Sequence, residues 1–252
     1  MPEPMNRPKL ILIILLIQLT ATVWLNAQNV TDANGLKQGE WLKKDTKGRL
    51  VYAGSFKDNI PQGIFTYYDE KGNIRSELTY SADGKQATAV NYYPGGRKMA
   101  EGAYFESKKD GHWKYYNDLE TISAEEYYQK GNATGTWKTY YDDGRLLEEC
   151  TYTAGLKNGI CRQYFSDGMV KSEIAFVKGI HEGDARYFYP DGKPMLVGRF
   201  HNDFREGLWI AYKANGEKES EIEYFAGEIA SEKYYDKARE AELKGEVKPI
   251  PD

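Results

Sequence analysis

Several residue types that carry chemistry in other proteins are scarce in this chain. Its 252 residues include two cysteines, three histidines and nine prolines. The histidines (His112, His181 and His201) fall at unrelated places in the sequence, which contains neither a nucleophile motif nor a glycine-rich phosphate loop. The formal net charge is −4, so no basic excess points to nucleic acid. These absences predict a protein that is not an enzyme and that binds no metal, cofactor or nucleic acid.

The one long apolar run lies at the N-terminus. Arg7 and Lys9 precede the apolar segment Leu10–Leu19, and Ala27 is a small residue at a suitable cleavage point. The run is too short to make a membrane span the first choice. We therefore expect a signal peptide over residues 1–27 and a mature protein exported to the periplasm or outside the cell. An uncleaved N-terminal anchor is the alternative.

Glycine is abundant, and it recurs with a period of 24 residues. It occupies Gly39, Gly63, Gly111, Gly135, Gly159, Gly183 and Gly207, with Ala87 in the one vacant slot. When each unit is numbered 1 to 24 from that residue, position 10 is glycine in seven of eight units. Position 18 is aromatic in all eight units, position 6 is aromatic in seven, and position 15 is glutamate in six. Units of equal length indicate a repeat array, in which each unit is stabilised by its neighbours.

Each unit has the composition of two short strands and two turns. Asp143-Gly144 and its equivalents predict a two-residue turn at positions 9 and 10, in which both residues have positive φ. Asp83-Gly84 and Gly155-Leu156 predict a second turn at positions 21 and 22. The predicted fold class is therefore all-β: an elongated antiparallel β-meander of eight hairpin repeats, forming a twisted open sheet or trough.

These two turns predict a row of alternating charges across the sheet. Position 4 faces position 15 across both turns, and the row reads Lys114, Glu125, Lys138, Glu149, Arg162, Glu173, Arg186. We interpret the row as a solvated face with cross-strand pairs rather than as a row of catalytic carboxylates. Positions 3, 12, 14, 16 and 18 are predicted to share the opposite, apolar face, which must be covered. There the position 18 aromatic residues should lie over the position 1 glycines.

The ends of the chain differ from the units. We expect an N-terminal lead-in over residues 28–38 and the repeat domain over residues 39–235. The composition of residues 236–252, rich in Ala, Glu, Lys and Arg before a proline-containing end, predicts a short C-terminal helix and a tail. Modified ends of this kind are expected where a stack of repeats stops.

The two cysteines face each other in the predicted register. Cys150 occupies position 16 of one unit and Cys161 position 3 of the next, both on the apolar face. Directly opposed residues of antiparallel strands lie within disulfide reach, and an exported protein meets an oxidising compartment. We predict a cross-strand disulfide, with two buried thiols as the alternative.

The repeat unit resembles a known family. Residues 135–152, GTWKTYYDDGRLLEECTY, are similar to the MORN-repeat variant of bacterial proteins, some of which are labelled antitoxin-like. The resemblance covers residues 36 to about 235, although the unit differs by one residue from the best-known MORN spacing. It implies a β-hairpin array that serves as a scaffold or binding surface and brings no catalytic residue. Related arrays are associated with protein assembly and with membrane lipids.

These observations leave two main classes of function. The first is a non-catalytic scaffold that mediates protein–protein interaction, with an unidentified partner, in the cell envelope or outside the cell. The second is a glycan-binding module, because aromatic faces at position 6 can stack on sugar rings. The residues of that row are Tyr92, Tyr116, Tyr140, Tyr164, Phe188 and Tyr212. A membrane-lipid surface is a third class, and the lack of a Lys/Arg excess argues against it.

Overall fold

The structure is a computed structural model that describes residues 28–235. This part of the chain forms one sheet of 18 strands. The strands are β1 (Val30–Thr31), β2 (Lys37–Lys44), β3 (Leu50–Lys57), β4 (Ile60–Tyr68), β5 (Ile74–Tyr80), β6 (Gln86–Tyr92), β7 (Lys98–Phe105), β8 (Lys108–Tyr116), β9 (Ile122–Gln129), β10 (Asn132–Tyr140), β11 (Leu146–Thr153), β12 (Leu156–Tyr164), β13 (Val170–Val177), β14 (Ile180–Phe188), β15 (Pro194–His201), β16 (Phe204–Tyr212), β17 (Lys218–Phe225) and β18 (Glu228–Tyr234). The predicted signal peptide and the predicted C-terminal helix lie outside the described residues.

Each strand pairs antiparallel with the strand before it and the strand after it, so the predicted all-β open meander is confirmed. Strands β2 to β17 supply two strands to each of the eight units. None of the described residues forms a helix long and apolar enough to cross a membrane.

The predicted pairing of positions 4 and 15 is also confirmed. Glu149 faces Lys138 on one side and Arg162 on the other. The remaining neighbours of the charge row, from Lys114 to Arg186, are likewise direct partners. Cross-strand attraction and hairpin geometry therefore specify the same register.

The first turn is of a different type from the two-residue turn that the sequence predicts at positions 9 and 10, so that prediction is wrong. In the hairpin of β10 and β11, Gly144 N–H donates to the carbonyl of Tyr141 (2.9 Å), and Tyr141 N–H donates to the carbonyl of Arg145 (2.8 Å). Gly144 has a φ of 84°, whereas Asp143 is not among the residues with positive φ. This is a type I turn followed by a left-handed glycine in a bulge, a three-residue loop. The Asp143 carboxylate stabilises it by accepting a hydrogen bond from Arg145 N–H (3.0 Å).

The second turn lies one position earlier than predicted in most hairpins. Between β11 and β12 the turn residues are Ala154 and Gly155, with φ of 51° and 88°. The displaced turn changes the pairing near it, and the register then shifts so that Cys150 still faces Cys161. Gly159, the position 1 glycine in the shifted segment, has a φ of 123°. Positive φ in this bulge therefore explains the recurring glycine.

The bulge of the first turn also moves position 12 to the other face. Tyr140 at position 6 pairs with Leu146 at position 12, and direct partners in an antiparallel pair point to the same side. Ile74, another position 12 residue, is exposed and borders a hollow with Glu77 and Tyr92. The predicted assignment of position 12 to the apolar face is wrong, because the extra residue reverses the alternation of side chains.

The sheet has two faces, which differ in the side chains that they carry. The charge face carries positions 2, 4, 6, 12, 15, 17, 19 and 22, and the aromatic face carries positions 3, 5, 16, 18 and 23. Within the described residues no second layer covers the aromatic face, and it is covered by its own side chains. Its most buried large residues include Trp113 and Trp209, and Ala185, which is also on this face, is fully buried.

Position 1 glycines do face position 18 aromatics, as Gly135 faces Tyr152. A Cβ added to Gly111 would meet no atom within 4 Å, so lack of space for a side chain does not explain the glycine at position 1. Rings do occupy the place of a side chain at position 16 glycines. A Cβ on Gly102 would stand 2.3 Å from the Trp113 ring, and one on Gly198 would stand 2.2 Å from the Trp209 ring. Close approach of an indole to the backbone requires glycine at that place.

Candidate functional site

The predicted row of position 6 aromatics lies on the charge face, but its tyrosines are half-buried and hydrogen-bonded. Four of the hydroxyls donate to the position 15 glutamate of the preceding unit. The pairs are Tyr92 with Glu77 (2.7 Å), Tyr116 with Glu101 (2.5 Å), Tyr140 with Glu125 (3.0 Å) and Tyr164 with Glu149 (2.8 Å). Phe188 has no hydroxyl to donate, and Tyr212 follows a unit with Val197 at position 15. The row and the charge ladder are thus one hydrogen-bonded network.

This network changes the acidity of the phenols. The hydrogen bond to Glu77, together with burial, raises the pKa of Tyr92 to about 12. Burial, and then the neighbouring glutamate, raises the pKa of Tyr116, Tyr140 and Tyr164 to about 12 as well. Both causes disfavour the phenolate. The hydroxyls are therefore neutral donors that hold the carboxylates in place.

A second tyrosine row was not recognised from the sequence. Tyr93, Tyr141 and Tyr189 at position 7 each donate to a main-chain carbonyl 23 residues ahead, over 2.9, 2.8 and 2.7 Å. Their acceptors are the carbonyls of Tyr116, Tyr164 and Tyr212. The signal available was the tyrosine at position 7 of alternate units, directly after the position 6 aromatic residue. These bonds join the first turn of one unit to the next unit, which is a structural role.

The aromatic face carries a ladder of rings capped by cations. Rings at positions 3 and 18 alternate along it, as in Tyr128, Trp137 and Tyr152, whose centroids are 5.2 and 4.5 Å apart. Basic side chains at position 23 lie over the rings: Lys109 is 4.7 Å from the Trp113 centroid and Arg205 is 4.5 Å from that of Trp209. Such contacts stabilise by about 0.5–1 kcal/mol at exposed sites. They also cover apolar surface that water would otherwise reach.

Apolar side chains are exposed at the ends of the strands, along the side of the sheet where the second turns lie. In the C-terminal half they form a strip on the charge face at positions 2, 19 and 22. This turn-edge strip consists of Leu156 (49% exposed), Ile160 (47%), Val177 (44%), Phe204 (59%), Leu208 (47%) and Phe225 (74%). Leu156 packs against Gly179 and Phe204 against Gly227, each in the following turn. The strip therefore runs from one hairpin to the next.

The two cysteines lie together on the aromatic face. Cys150 and Cys161 are direct partners of β11 and β12, with Cα atoms 4.2 Å apart, and the structure joins them by a disulfide. Both are buried, in a cluster with Phe176. The pair occupies positions 16 and 3, where most other hairpins place a glycine against an aromatic ring or a large aliphatic residue against alanine.

The three histidines are separate and each has an acidic neighbour. His112 lies 2.9 Å from Glu125 and stacks on Tyr127, with ring centroids 4.4 Å apart. His181 is paired with Asp203 (2.8 Å) and His201 with Glu182 (3.1 Å). Across residues 28–235, no group of three or more His, Cys, Asp or Glu residues is placed to hold a metal ion.

The fold and these surfaces define a repeat protein: an open hairpin array whose recurring residues form turns, rings and ion pairs. Three segments, residues 61–82, 133–154 and 157–178, match the family model for the MORN repeat variant. The chain therefore carries MORN-variant repeats, as the resemblance implied. Proteins with this repeat are generally non-catalytic scaffolds.

Solved structures give low similarity. S. aureus TarM in complex with Fondaparinux, alpha-GlcNAc-glycerol and UDP aligns with 48% of this chain and 21% of its own, at 10% identity and a TM-score of 0.30. The GtfA/B complex bound to UDP and GlcNAc aligns over 55% and 22%, at 11% identity and a TM-score of 0.16. The TcdB2-TccC3-Cdc42 structure aligns over 76% and 12%, at 14% identity and a TM-score of 0.19. This chain spans less than a quarter of each of them, and TM-scores this low carry no argument.

Proposed function

We propose that the protein is a non-catalytic repeat scaffold that binds a protein partner through the turn-edge strip, in the cell envelope or outside the cell. The observation that supports it is the exposed row of large apolar side chains from Leu156 to Phe225. Contiguous exposed apolar surface is rare on soluble monomers, and it marks interaction sites.

The strip is continuous in the C-terminal half only, since Ile60 and Ile64 are isolated exposed apolar residues at the same positions of the N-terminal half. The equivalent positions of the N-terminal half are mostly polar, for example Lys57, Gln129, Lys108 and Asn132. The repeat does not require apolar residues at these positions, because the hairpins form equally well with polar ones. An apolar row that folding does not need is best explained by a partner with apolar side chains.

The strip also has a geometry that suits an extended partner. Successive second turns are two strands apart, roughly 10 Å in a β-sheet. The position 22 residues Leu156, Ile180 and Phe204 therefore recur at a regular spacing along the second turns. A partner segment that lies along these turns would place one apolar side chain at each turn.

A matched pair of double variants tests the proposal. Phe204→Ser with Leu208→Ser changes positions 22 and 2 inside the strip, and Ile60→Ser with Ile64→Ser changes the same two positions in the N-terminal half. Wild type and both variants are used for cross-linking in cell-envelope fractions of the producing organism, followed by mass spectrometry. We expect one protein to be cross-linked to the wild type and the Ile60/Ile64 variant and to be lost with the Phe204/Leu208 variant.

Two results would contradict the proposal. The first is a protein partner that all three forms retain equally, since the strip would then play no part. The second is retention of polysaccharide in place of protein, which would favour the glycan-binding class. Light scattering after gel filtration shows whether the strip is instead occupied by a second copy of the chain.

A further inference from the structure

The ring ladder of the aromatic face is interrupted in three units, where position 3 is Ala89, Cys161 or Ala185. Two of these gaps are filled by the chain. At Ala185 the His181 ring lies between Phe176 and Phe200, with centroids 4.5 and 5.1 Å away. At Cys161 the disulfide to Cys150 takes the space.

At Ala89 none of the described residues supplies a ring, and Leu78 packs on the buried alanine instead. Tyr80 contacts the Phe65 ring on one side (5.2 Å), and Tyr104 contacts the Trp113 ring on the other (5.0 Å). Between Tyr80 and Tyr104 lies a hollow of about 440 Å³. This volume is within the usual range for small-molecule sites.

The hollow has an apolar floor and a polar rim. Tyr67, Leu78 and Met99 line it together with the two flanking tyrosines. The rim carries Arg75 and Lys85, which are both exposed. Such a surface, apolar inside with a few charged groups at the edge, is typical of ligand sites.

The charged side chains that line the hollow are of one sign. None of the described residues that line it is an aspartate or glutamate. Among the described residues Arg75 and Lys85 form no salt bridge, although Asp83 lies close enough to Lys85 to interact with its charge. Burial, followed by the contact with Tyr80, raises the pKa of Tyr67, so its hydroxyl stays a neutral donor. The rim therefore favours an anion.

We propose that this hollow binds a small aromatic carboxylate. Its ring would lie on Leu78, between Tyr80 and Tyr104, near the slot that a tryptophan ring takes in other units. Its carboxylate would reach one of the two cations, Arg75 or Lys85, which lie at opposite ends of the hollow. The slot favours a flat ring because Trp, Phe or His occupies most of its equivalents. The site is independent of the turn-edge strip, which lies on the charge face.

Calorimetric titration of the full chain with indole-3-acetate tests the proposal, because this probe combines an indole with a carboxylate. A filled-slot variant, Leu78→Gly with Ala89→Trp, recreates the Gly102 and Trp113 pair and should abolish binding. Arg75→Gln with Lys85→Gln should weaken binding about tenfold, as should the neutral probe indole-3-acetamide on the wild type. Lys71→Gln, an exposed cation outside the hollow, is the control and should leave affinity unchanged.

The absence of saturable indole-3-acetate binding would overturn the proposal. So would equal affinity for the acetamide, undiminished binding by a folded filled-slot variant, or binding of glucuronate in preference to indole-3-acetate. Circular dichroism establishes whether the filled-slot variant folds. If it does not, the Arg75/Lys85 variant measured against Lys71→Gln decides the question.

Discussion

Ala87 lies directly opposite Tyr80, in a hairpin of β5 and β6 that pairs without a register shift. Six of the corresponding hairpins have a glycine at this position and a shift beside it, as between β7 and β8, where the glycine is Gly111. Ala87 is not among the residues with positive φ, whereas Gly111 has a φ of 72°. Alanine does not form the bulge, and a longer loop with Gly84 at φ 68° replaces the tight turn.

The bulge glycines should resist substitution for a reason confined to the backbone. Gly111→Ala adds a Cβ that meets no atom within 4 Å. The substitution should therefore lower the free energy of unfolding only by the cost of placing alanine in the left-handed backbone conformation, about 1–2 kcal/mol. Gly111→Asn should cost less, because asparagine tolerates this conformation. Urea denaturation of the three proteins measures the difference. Equal stability of Gly111→Ala and wild type would show that positive φ is not the constraint.

Gly102 and Trp113 should show strong energetic coupling. Gly102→Leu places atoms where the indole lies, and Trp113→Ala alone should cost about 3–5 kcal/mol through the cavity it leaves. Gly102→Leu with Trp113→Ala reproduces the Leu78 and Ala89 pair of a neighbouring unit, and it should cost less than the two single changes together. A double-mutant cycle from denaturation curves gives the coupling energy. Additive costs would mean that the two residues pack independently.

Glu149→Lys should destabilise the protein by about 1–2 kcal/mol, since it places like charges next to Lys138 and Arg162. It also removes the ion pair with Arg162 (3.5 Å) and the acceptor of Tyr164. Glu149→Gln, which keeps an acceptor oxygen, is the control and should cost less. Added salt should reduce the loss for Glu149→Lys. Melting temperatures at low and high salt test this, and a loss independent of salt would rule out a charge effect.

The hydrogen-bonded tyrosines should titrate late. Tyr92, Tyr116, Tyr140 and Tyr164 have pKa values of about 12 in the folded chain, against about 10 in an unfolded one. The folded state holds these protons more tightly, so its advantage is complete below pH 10 and is lost as the pH rises towards 12. Absorbance titration of wild type and of the chain with Tyr116, Tyr140 and Tyr164 changed to Phe isolates this group. Titration of the lost phenols near pH 10 would contradict the prediction.

The disulfide should contribute about 2–3 kcal/mol, as expected for a bond that closes a short loop. Cys150→Ile with Cys161→Ala supplies the Ile174 and Ala185 pair of the next unit and should preserve the fold. A reductant should lower the melting temperature of wild type and leave that of the variant unchanged. Alkylation and mass spectrometry of native protein count the free thiols, and two labelled thiols would mean that no bond forms in its own compartment.

The register was predictable because it depends on pairs that can be read along the chain. Glu149 is flanked by opposite charges at a constant spacing. The same spacing places Cys150 opposite Cys161. The side on which Ile74 lies was not predictable from alternation, because one bulged residue reverses it. The hollow at Ala89 also needed the structure, since nothing in the sequence shows that His181 fills one gap while Lys85 leaves another open.

The sequence by itself determined the number of units, the antiparallel meander and the pairing of positions 4 and 15, because hairpin pairing is local and every unit repeats it. Only the tertiary structure decided the turn types, the faces and the surfaces. Whether Asp143 takes a left-handed conformation depends on a competition between main-chain and side-chain hydrogen bonds. Which rings are covered, and which of the residues from Leu156 to Phe225 are exposed, depends on contacts between neighbouring hairpins.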